Sequence, residues 1–259
     1  MSFRSPPVLH TLLEGRTLLE FFASTLSLPL LLSAPKGDGH PVMVFPGFLA
    51  SDLSTKALRQ FLKVKGYRAE GWGLGRNLGQ HVIRDNKVVS NDILDKVLSL
   101  YERTGEKVSL IGWSLGGILA REIARLLPEQ TRCVVTLGSP FNAPEDSAPI
   151  AATLFKILNN KRMGGDFSIP DSLTQPLSVP TTAIFSRSDG VAHWHGCKHH
   201  ENSHTEQSEN VEVVASHLGL GHHPAVLWAI AARLSLPTDT WTPLASLDLP
   251  KWLFPNPDR

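Results

Sequence analysis

Short apolar runs alternate along most of the chain with longer segments whose apolar residues recur at helical spacing. Such runs are typical of strands buried on both faces, and their alternation with amphipathic helices is typical of a parallel sheet. The candidate strands are residues 42–45, 67–72, 108–113, 133–137, 181–186 and 211–214. The candidate helices are residues 55–65, 92–104, 115–127 and 225–234. The pattern therefore predicts an α/β fold with a mostly parallel sheet and helices on both faces.

Residues 1–35 precede this alternation, and we predict that they form a separate helical segment. Their apolar residues recur near helical spacing, which favours a helix laid on the domain and ended by Pro29. The residues of this pattern are Leu9, Leu12, Leu13, Leu18, Leu19 and Phe22. The apolar run 21–32 leaves a secretion signal and a membrane-surface helix open as alternatives, but it is too short to span a bilayer. We expect a cytoplasmic protein, with secretion or membrane association as the alternatives.

Two segments do not fit the alternation, residues 73–89 and residues 141–179. The second is long for a simple connection, and the apolar positions within residues 150–158 have a helical period. We therefore predict one domain over residues 36–259 with a small cap insertion at about 141–179, while an ordinary surface helix is the alternative. No motif assigns a role to the first segment.

Composition and charge narrow the class of partner. The length of 259 residues suits one α/β domain with an insertion, and a hydrophobic content of 42% is enough for a substantial core. The formal net charge is +1, from 25 basic and 24 acidic residues, which indicates no electrostatic surface for nucleic acid or an anionic membrane. A neutral small molecule is the expected partner.

The chain contains two cysteines, Cys133 and Cys197. Cys133 lies in a strand-like run, where a buried free thiol is the ordinary interpretation. A disulfide between the two stays an alternative, and so sparse a cysteine content indicates no oxidising compartment.

The strongest chemical signal is Ser114 within the sequence Gly112-Trp113-Ser114-Leu115-Gly116. An apolar strand precedes it and a helix-like segment follows it, which predicts a tight strand–turn–helix with the serine at its apex. The flanking glycines remove the Cβ atoms that would otherwise clash with neighbouring chain. In this context the pattern predicts a nucleophilic serine, and a chance turn is the alternative.

A serine nucleophile needs a base to take its proton and a carboxylate to orient that base. Asp189 follows the candidate strand 181–186 and stands beside Gly190, so we predict that it is the acid. An Asp-Gly turn without catalytic role is the alternative. Asp166 and Asp171, in the predicted cap, are weaker candidates.

The base is expected in the loop after the last strand, which contains three histidines. His217 comes first after the strand and could lean over the sheet edge toward Ser114, so we predict that it is the base. His222 is the substitute, and His223 fits better as a surface or capping residue at the start of the next helix.

Negative charge on a carbonyl oxygen requires donors that are fixed before the reaction, and backbone N–H groups supply them. We predict that one donor is the N–H of Leu115, the residue after the nucleophile. The other is expected in the loop after the first strand, where Gly47 permits a turn and Phe48 presents its N–H. Leu49 is the alternative to Phe48.

A cluster of histidines between the acid and the last strand offers side chains that suit zinc. Their spacing matches no closed zinc pattern well, so we expect a solvated loop rather than a metal site. The members of the cluster are His193, His195, His199, His200 and His204.

With these residues placed in chain order, the sequence resembles the α/β-hydrolase superfamily, and within it the lipase- and esterase-like serine hydrolases. The segments Gly138-Ser139-Pro140 and Ser216-His217-Leu218-Gly219-Leu220 look like the corresponding segments of small bacterial lipases. The resemblance covers about residues 41–236. One departure is Pro46-Gly47 in the oxyanion loop, where lipase-like chains often carry His-Gly, and it weakens inference about the substrate.

The resemblance implies hydrolysis of carboxylic esters through an acyl-enzyme, with no cofactor. Ser114 would attack, His217 would shuttle the proton, Asp189 would orient it, and Phe48 and Leu115 would hold the oxyanion. The expected substrate is a small-molecule or lipid ester, with membrane-surface contact through the N-terminal apolar helix as an addition. An acyltransferase, a thioesterase or amidase with the same triad, and a non-catalytic binding protein on the same fold stay as alternatives.

Overall fold

The computed structural model describes residues 5–79, 89–142, 174–200, 204–237, 240–247 and 253–255. In this part of the chain six strands form one sheet. They are β1 (Pro41–Phe45), β2 (Arg68–Gly71), β3 (Val108–Trp113), β4 (Thr131–Leu137), β5 (Thr181–Phe185) and β6 (Ser208–Glu212). All neighbouring strands pair in parallel, in the order β2-β1-β3-β4-β5-β6. The predicted α/β fold with a parallel sheet is confirmed.

The described residues also form seven α-helices. They are α1 (Val8–Leu12), α2 (Thr17–Leu26), α3 (Leu28–Ser33), α4 (Lys56–Val64), α5 (Asn91–Thr104), α6 (Leu115–Leu126) and α7 (Pro224–Ser235). The four helices predicted beyond residue 35 correspond to α4 to α7, with small differences at their ends. Gly105 ends α5 with a φ of 69°, a left-handed conformation that glycine adopts without strain.

The hydrophobic core lies on both faces of the sheet. Val42 and Val44 of β1 pack on the face that α4 and α7 cover, whereas Met43 and Phe45 pack on the face that α5 and α6 cover. Successive side chains of a strand point to opposite faces, so a strand covered on both sides must be apolar throughout. This requirement is why the apolar runs located the strands.

The last strand differs from its predicted range, since β6 spans Ser208–Glu212 rather than residues 211–214. Its start is polar, but the buried Glu209 accepts hydrogen bonds from Thr182 Oγ1 at 2.7 Å and from Arg233 Nε at 2.9 Å. A polar residue can be buried in a strand when such partners satisfy it, and a search for apolar runs misses it.

The N-terminal segment also differs from its prediction. It is divided into α1, a 3₁₀ turn (Leu13–Arg16), α2 and α3, and Pro29 lies in the first turn of α3 rather than ending a helix. A proline is tolerated there because the first N–H groups of a helix have no partner within it. None of the described helices is long and apolar enough to cross a membrane.

The N-terminal segment packs with the opposite face from the one its apolar pattern favours. The apolar residues of that pattern are exposed, namely Leu9, Leu12, Leu13, Leu18, Leu19 and Phe22. Glu14 and Glu20 are buried instead, because their carboxylates accept hydrogen bonds from backbone N–H groups of the domain.

Residues 80–88 and 143–173 lie outside the described residues. Most of the predicted cap falls in the second of these ranges, so the cap stays a prediction. The carboxylates of Asp166 and Asp171 fall there too.

Candidate active site

The sheet order places two connections side by side at its carboxyl edge. From β1 the chain winds outward to β2 and then returns to β3 on the other side of β1, so the loops after β1 and β3 open a crevice between them. Such a reversal of winding is where ligands bind in open parallel sheets. The predicted oxyanion loop follows β1, and Ser114 follows β3.

Ser114 occupies a sharp turn between β3 and α6. Its backbone has a φ of 53° and a ψ of −121°, and its N–H donates to Leu137 O at 2.8 Å. A Cβ on Gly112 would collide with the backbone of Gly116 and Gly117, so the strand and the helix approach this closely only because glycine is present. The serine is half-buried, whereas most of its surroundings are buried.

Asp189 and His217 form a buried ion-pair geometry at the ends of β5 and β6. Asp189 Oδ2 and His217 Nδ1 are 2.6 Å apart, and both residues are 3% exposed. Asp189 Oδ1 accepts the N–H groups of Val191 and Ala192, each at 2.8 Å, so the carboxylate is held from the other side. Burial alone would lower the pKa of His217, but the charge and hydrogen bond of Asp189, together with the charge of Glu14, raise that pKa above 6.5.

Several contacts hold this pair next to the serine turn. Trp113, the residue before Ser114, donates from Nε1 to His217 O at 3.1 Å. Gly138 follows β4 with a φ of 53°, and a Cβ there would lie 3.1 Å from Asp189 Oδ2 and 3.2 Å from His217 Nδ1. The predicted nucleophile, acid and base thus follow β3, β5 and β6 at the carboxyl edge of the sheet.

The loop after β1 is strained and firmly anchored. Leu49 has a φ of 64°, and its N–H donates to Asn77 O at 2.7 Å. The buried side chain of Asn77 donates to Pro46 O at 2.9 Å, and its backbone N–H donates to Ala50 O at 2.7 Å. The N–H of Leu49, the alternative oxyanion donor, is thus bonded within this part of the chain.

The second predicted donor, Leu115, is the first residue of α6. The first N–H groups of a helix have no acceptor within it, and the helix dipole adds a partial positive charge at that end. The assignment of Phe48 and Leu115 to an oxyanion hole stays a prediction.

The other histidines at the end of β6 have different partners. His222 Nε2 lies 3.2 Å from Thr17 O, and His223 Nδ1 accepts the N–H of Ala225 at the start of α7. The capping role predicted for His223 is confirmed. His217, rather than His222, is the histidine that contacts Asp189.

The histidine cluster forms a stack rather than a ligand set. The rings of Trp194 and His195 stack with centroids 3.6 Å apart, and Arg187 lies over Trp194 at 4.2 Å. Over the described residues, no group of three histidine, cysteine, aspartate or glutamate side chains could hold a metal ion. Both cysteines are buried free thiols.

A second Ser-His-Asp arrangement lies at the opposite edge of the sheet. His40 Nδ1 is 2.5 Å from Asp38 Oδ1, and His40 Nε2 is 2.8 Å from Ser109 Oγ. Ser109 is fully buried near the start of β3, so no substrate can reach its hydroxyl. Burial also lowers the pKa of His40. His40 and Ser109 are buried, so the arrangement is a structural polar network, and it provides a control for tests of Ser114.

Sequence reasoning missed three residues that contact loops at the carboxyl edge of the sheet, namely Asn77, Glu14 and Glu20. Asn77 lies among turn-forming glycines, Gly75 and Gly79, and an asparagine in that setting is a signal for a side chain that bonds to backbone. The two glutamates interrupt an apolar segment, and carboxylates in such a segment are a signal for buried hydrogen bonding.

The chain matches one family model and no curated protein. The model of the PGAP1-like alpha/beta domain matches residues 76–216, which is more than half of the chain and includes the serine turn, Asp189 and the strand before His217. The search of curated proteins found no match.

Solved structures with the same fold include enzymes that are named for lipid or ester chemistry. Lipase B of Aspergillus fumigatus has 16% identity and a TM-score of 0.56, and the match covers 83% of this chain but only 57% of the lipase. One of the metagenome-derived lipolytic enzymes LipS and LipT has 16% identity and a TM-score of 0.54, with coverage of 78% and 95%. A pyrethroid hydrolase from Sphingobium faniae has 18% identity and a TM-score of 0.54, with coverage of 78% and 99%. At these identities the likeness shows a common fold, the α/β-hydrolase fold.

Proposed function

Since this chain belongs to the PGAP1-like alpha/beta domain family, within the α/β-hydrolase superfamily, we propose that it is a serine hydrolase that cleaves carboxylic esters. The observation that carries the proposal is the buried contact of 2.6 Å between Asp189 and His217, next to a serine in a strained turn. A carboxylate bound to Nδ1 fixes the imidazole so that Nε2 is free to accept a proton. The names of the lipase and the lipolytic enzymes favour lipid esters or other carboxylic esters.

The proposed reaction has two stages. Ser114 Oγ forms a bond to the ester carbonyl carbon while His217 Nε2 takes its proton; the bond to the alcohol oxygen then breaks, and the imidazolium returns the proton to that oxygen. Water next attacks the acyl-enzyme, His217 accepts one of its protons, and the carboxylic acid leaves as the proton returns to Ser114. The N–H groups of Phe48 and Leu115 would stabilise the negative carbonyl oxygen in both stages.

The N-terminal segment supports a lipid surface as the partner in this proposal. The charged residues of the sequence between Ser5 and Ala34 are Glu14, Arg16 and Glu20. Both glutamates are buried, and Arg16 is paired with Glu20 at 3.0 Å, so the outward surface of this segment is apolar. A large exposed apolar surface is typical of sites that bind proteins or lipid, and the small amount of exposed charge favours neutral lipid.

Replacement of Ser114 tests the proposed activity. We expect the wild-type protein to hydrolyse p-nitrophenyl esters and Ser114→Ala to lose at least about 10³-fold in kcat/KM, because the nucleophile is removed. Ser109→Ala is the matched control, since it removes a serine hydroxyl that contacts His40 but is fully buried. A Ser114→Ala protein that hydrolyses the esters as fast as wild type would refute the proposal.

A further inference from the structure

We infer that Glu14 is a positioning residue, whose carboxylate locks together the loop of the catalytic acid and the loop of the catalytic base. The inference rests on the proposed function, because it gives Asp189 and His217 their roles. It gives the N-terminal segment a role in the active site. The buried carboxylate of Glu14 links the loop that carries Asp189 to the loop that carries His217.

The carboxylate of Glu14 bridges the two loops directly. Glu14 Oε1 accepts the N–H of Gly190 at 2.8 Å and the N–H of His217 at 2.9 Å. Glu14 Oε2 accepts the N–H of Leu218 at 3.0 Å. This one side chain thus holds both Gly190, the residue after the acid, and His217, the base. Glu14 is only 8% exposed. Hydrogen bonds to an ionised carboxylate are about twice as strong as neutral ones, so this bridge is stiff.

Other residues of the segment grip the same two loops. On the acid loop, Arg16 Nη2 donates to Ser188 Oγ at 2.7 Å, and Thr11 Oγ1 donates to Gly190 O at 2.8 Å. On the base loop, Glu20 accepts the N–H of Ser216 at 2.8 Å. The segment therefore contacts the residues on both sides of Asp189 and the residues on both sides of His217.

The close fit at Gly190 is a further sign that the segment and the acid loop are built to meet. A Cβ at Gly190 would collide with the backbone of His10 and Thr11. Only glycine allows the N-terminal backbone to approach the acid loop this closely. The contact between the N-terminal segment and the acid loop is made by polar side chains and backbone, so apolar packing does not explain it.

Glu14 acts on His217 through its negative charge as well as through its hydrogen bonds. Together with the larger effect of Asp189, it opposes the effect of burial and raises the pKa of His217. Trp113, which packs against His217 from β3, carries no charge. Glu20 and Arg16 lie farther along the same segment and form a pair, and His222 and His223 follow on the base loop. Removal of the Glu14 charge should therefore lower the pKa of His217.

The test is the Glu14→Gln variant of the full chain. A carboxamide has nearly the same shape, but its NH₂ group would face a backbone donor, so the bridge is broken on one side. We expect kcat to fall about 10- to 100-fold while KM changes little, since the acid and the base lose their mutual alignment. We also expect the acid limb of the pH profile of kcat/KM to move to lower pH. Glu14→Asp, which keeps the charge, should restore part of kcat and most of the pH position.

A buried carboxylate elsewhere separates positioning from mere stability. Glu209 is also buried and accepts bonds from Thr182 and Arg233, but it lies at the start of β6, at the other edge of the sheet. Glu209→Gln should lower the melting temperature without moving the acid limb. If Glu14→Gln only lowers the melting temperature and leaves kcat and the acid limb at wild-type values, the inference is wrong.

An NMR titration of His217 separates this inference from the proposed function. The imidazole signals give the pKa of His217 whether or not the protein hydrolyses esters, and we expect that pKa to be lower in Glu14→Gln than in wild type. An unchanged pKa would overturn the inference even if wild-type protein is an active esterase. A wild-type protein without esterase activity and without labelling of Ser114 by a fluorophosphonate would overturn the proposed function. The titration would still show whether Glu14 acts on His217.

Discussion

At the residue scale, Ser114 and Leu49 share a feature that sets them apart among the described non-glycine residues, namely a positive φ. Holding a side chain in that region costs of the order of 1–3 kcal/mol and persists only where surrounding structure imposes it. Ser114 is held by its bond to Leu137 O and Leu49 by its bond to Asn77 O. Strain is thus concentrated at the proposed nucleophile and in the proposed oxyanion loop.

The pairing of Asp189 with His217 predicts how kcat/KM depends on pH. His217 must be neutral to accept a proton, and its pKa is raised above 6.5, so kcat/KM of wild type should fall as the pH drops through a value above 6.5. Asp189→Asn removes the main cause of the raised pKa. We expect its acid limb to move to lower pH and its maximal rate to fall about 10³- to 10⁴-fold. A pH–rate profile with a soluble ester measures both, and an acid limb that stays in place would contradict the pairing.

The same pair has a consequence for stability, with a defined sign. Because the pKa of His217 is higher in the folded state than in the unfolded state, the protonated pair contributes stability that is fully present below the unfolded pKa. This contribution is lost as the pH rises through the folded pKa. Activity and this part of the stability therefore change in opposite directions with pH.

At the element scale, the loop after β1 depends on Asn77, and its replacement tests that dependence. Asn77→Ala would leave the carbonyl of Pro46 without its side-chain donor and loosen the backbone that presents Phe48. We expect kcat to fall about 10- to 100-fold with a smaller change in KM, because the donor is misplaced relative to the charge that develops. Steady-state kinetics on p-nitrophenyl esters measure this change.

Asn210→Ala is the matched control for that variant. The side chain of Asn210 also anchors backbone, since it binds both the N–H and the carbonyl of His199. His199 precedes β6 and does not belong to the loop after β1. The control should lower the melting temperature and leave kcat near the wild-type value. Equal losses of kcat in both variants would contradict a specific role for Asn77.

The elements that could be predicted from sequence are those whose burial is apolar. The central strands β1, β3, β4 and β5 and helices α4 to α7 follow from apolar periodicity. The serine turn follows from its glycines, so chain order sufficed to nominate Asp189 and His217. Asn77, Glu14 and the start of β6 at Ser208 could not be found this way. Their burial depends on hydrogen bonds to distant backbone or side chains, which leave no period in the sequence.

At the scale of the whole molecule, the N-terminal segment has two unlike faces. One face carries Glu14 and Glu20 into the domain, and the other exposes large apolar side chains of α1, α2 and α3. The proposed lipid contact and the proposed positioning role thus belong to one segment. Variants on the outward face should separate them.

A double replacement on the outward face of α2 tests the lipid contact. Leu18→Ser with Phe22→Ser removes two exposed apolar side chains that stand one helical turn apart. We expect binding to neutral phosphatidylcholine vesicles to weaken at least about tenfold, because each buried side chain of this size contributes about 1.5–3 kcal/mol. Hydrolysis of a soluble p-nitrophenyl ester should be unchanged. Vesicle co-sedimentation measures the binding.

Leu53→Ser is the control for that test, since Leu53 is equally exposed but lies outside the segment. It should leave vesicle binding intact. Equal binding by the wild type, the double variant and the control would contradict a lipid contact through α2.

The bonds of Glu14 join residues that lie 176, 203 and 204 positions apart. A ribosome makes the chain from its N-terminus, so this glutamate is made before its partners and must wait until they have been translated. We expect the nascent chain to remain catalytically silent until β6 and the turn after it have emerged.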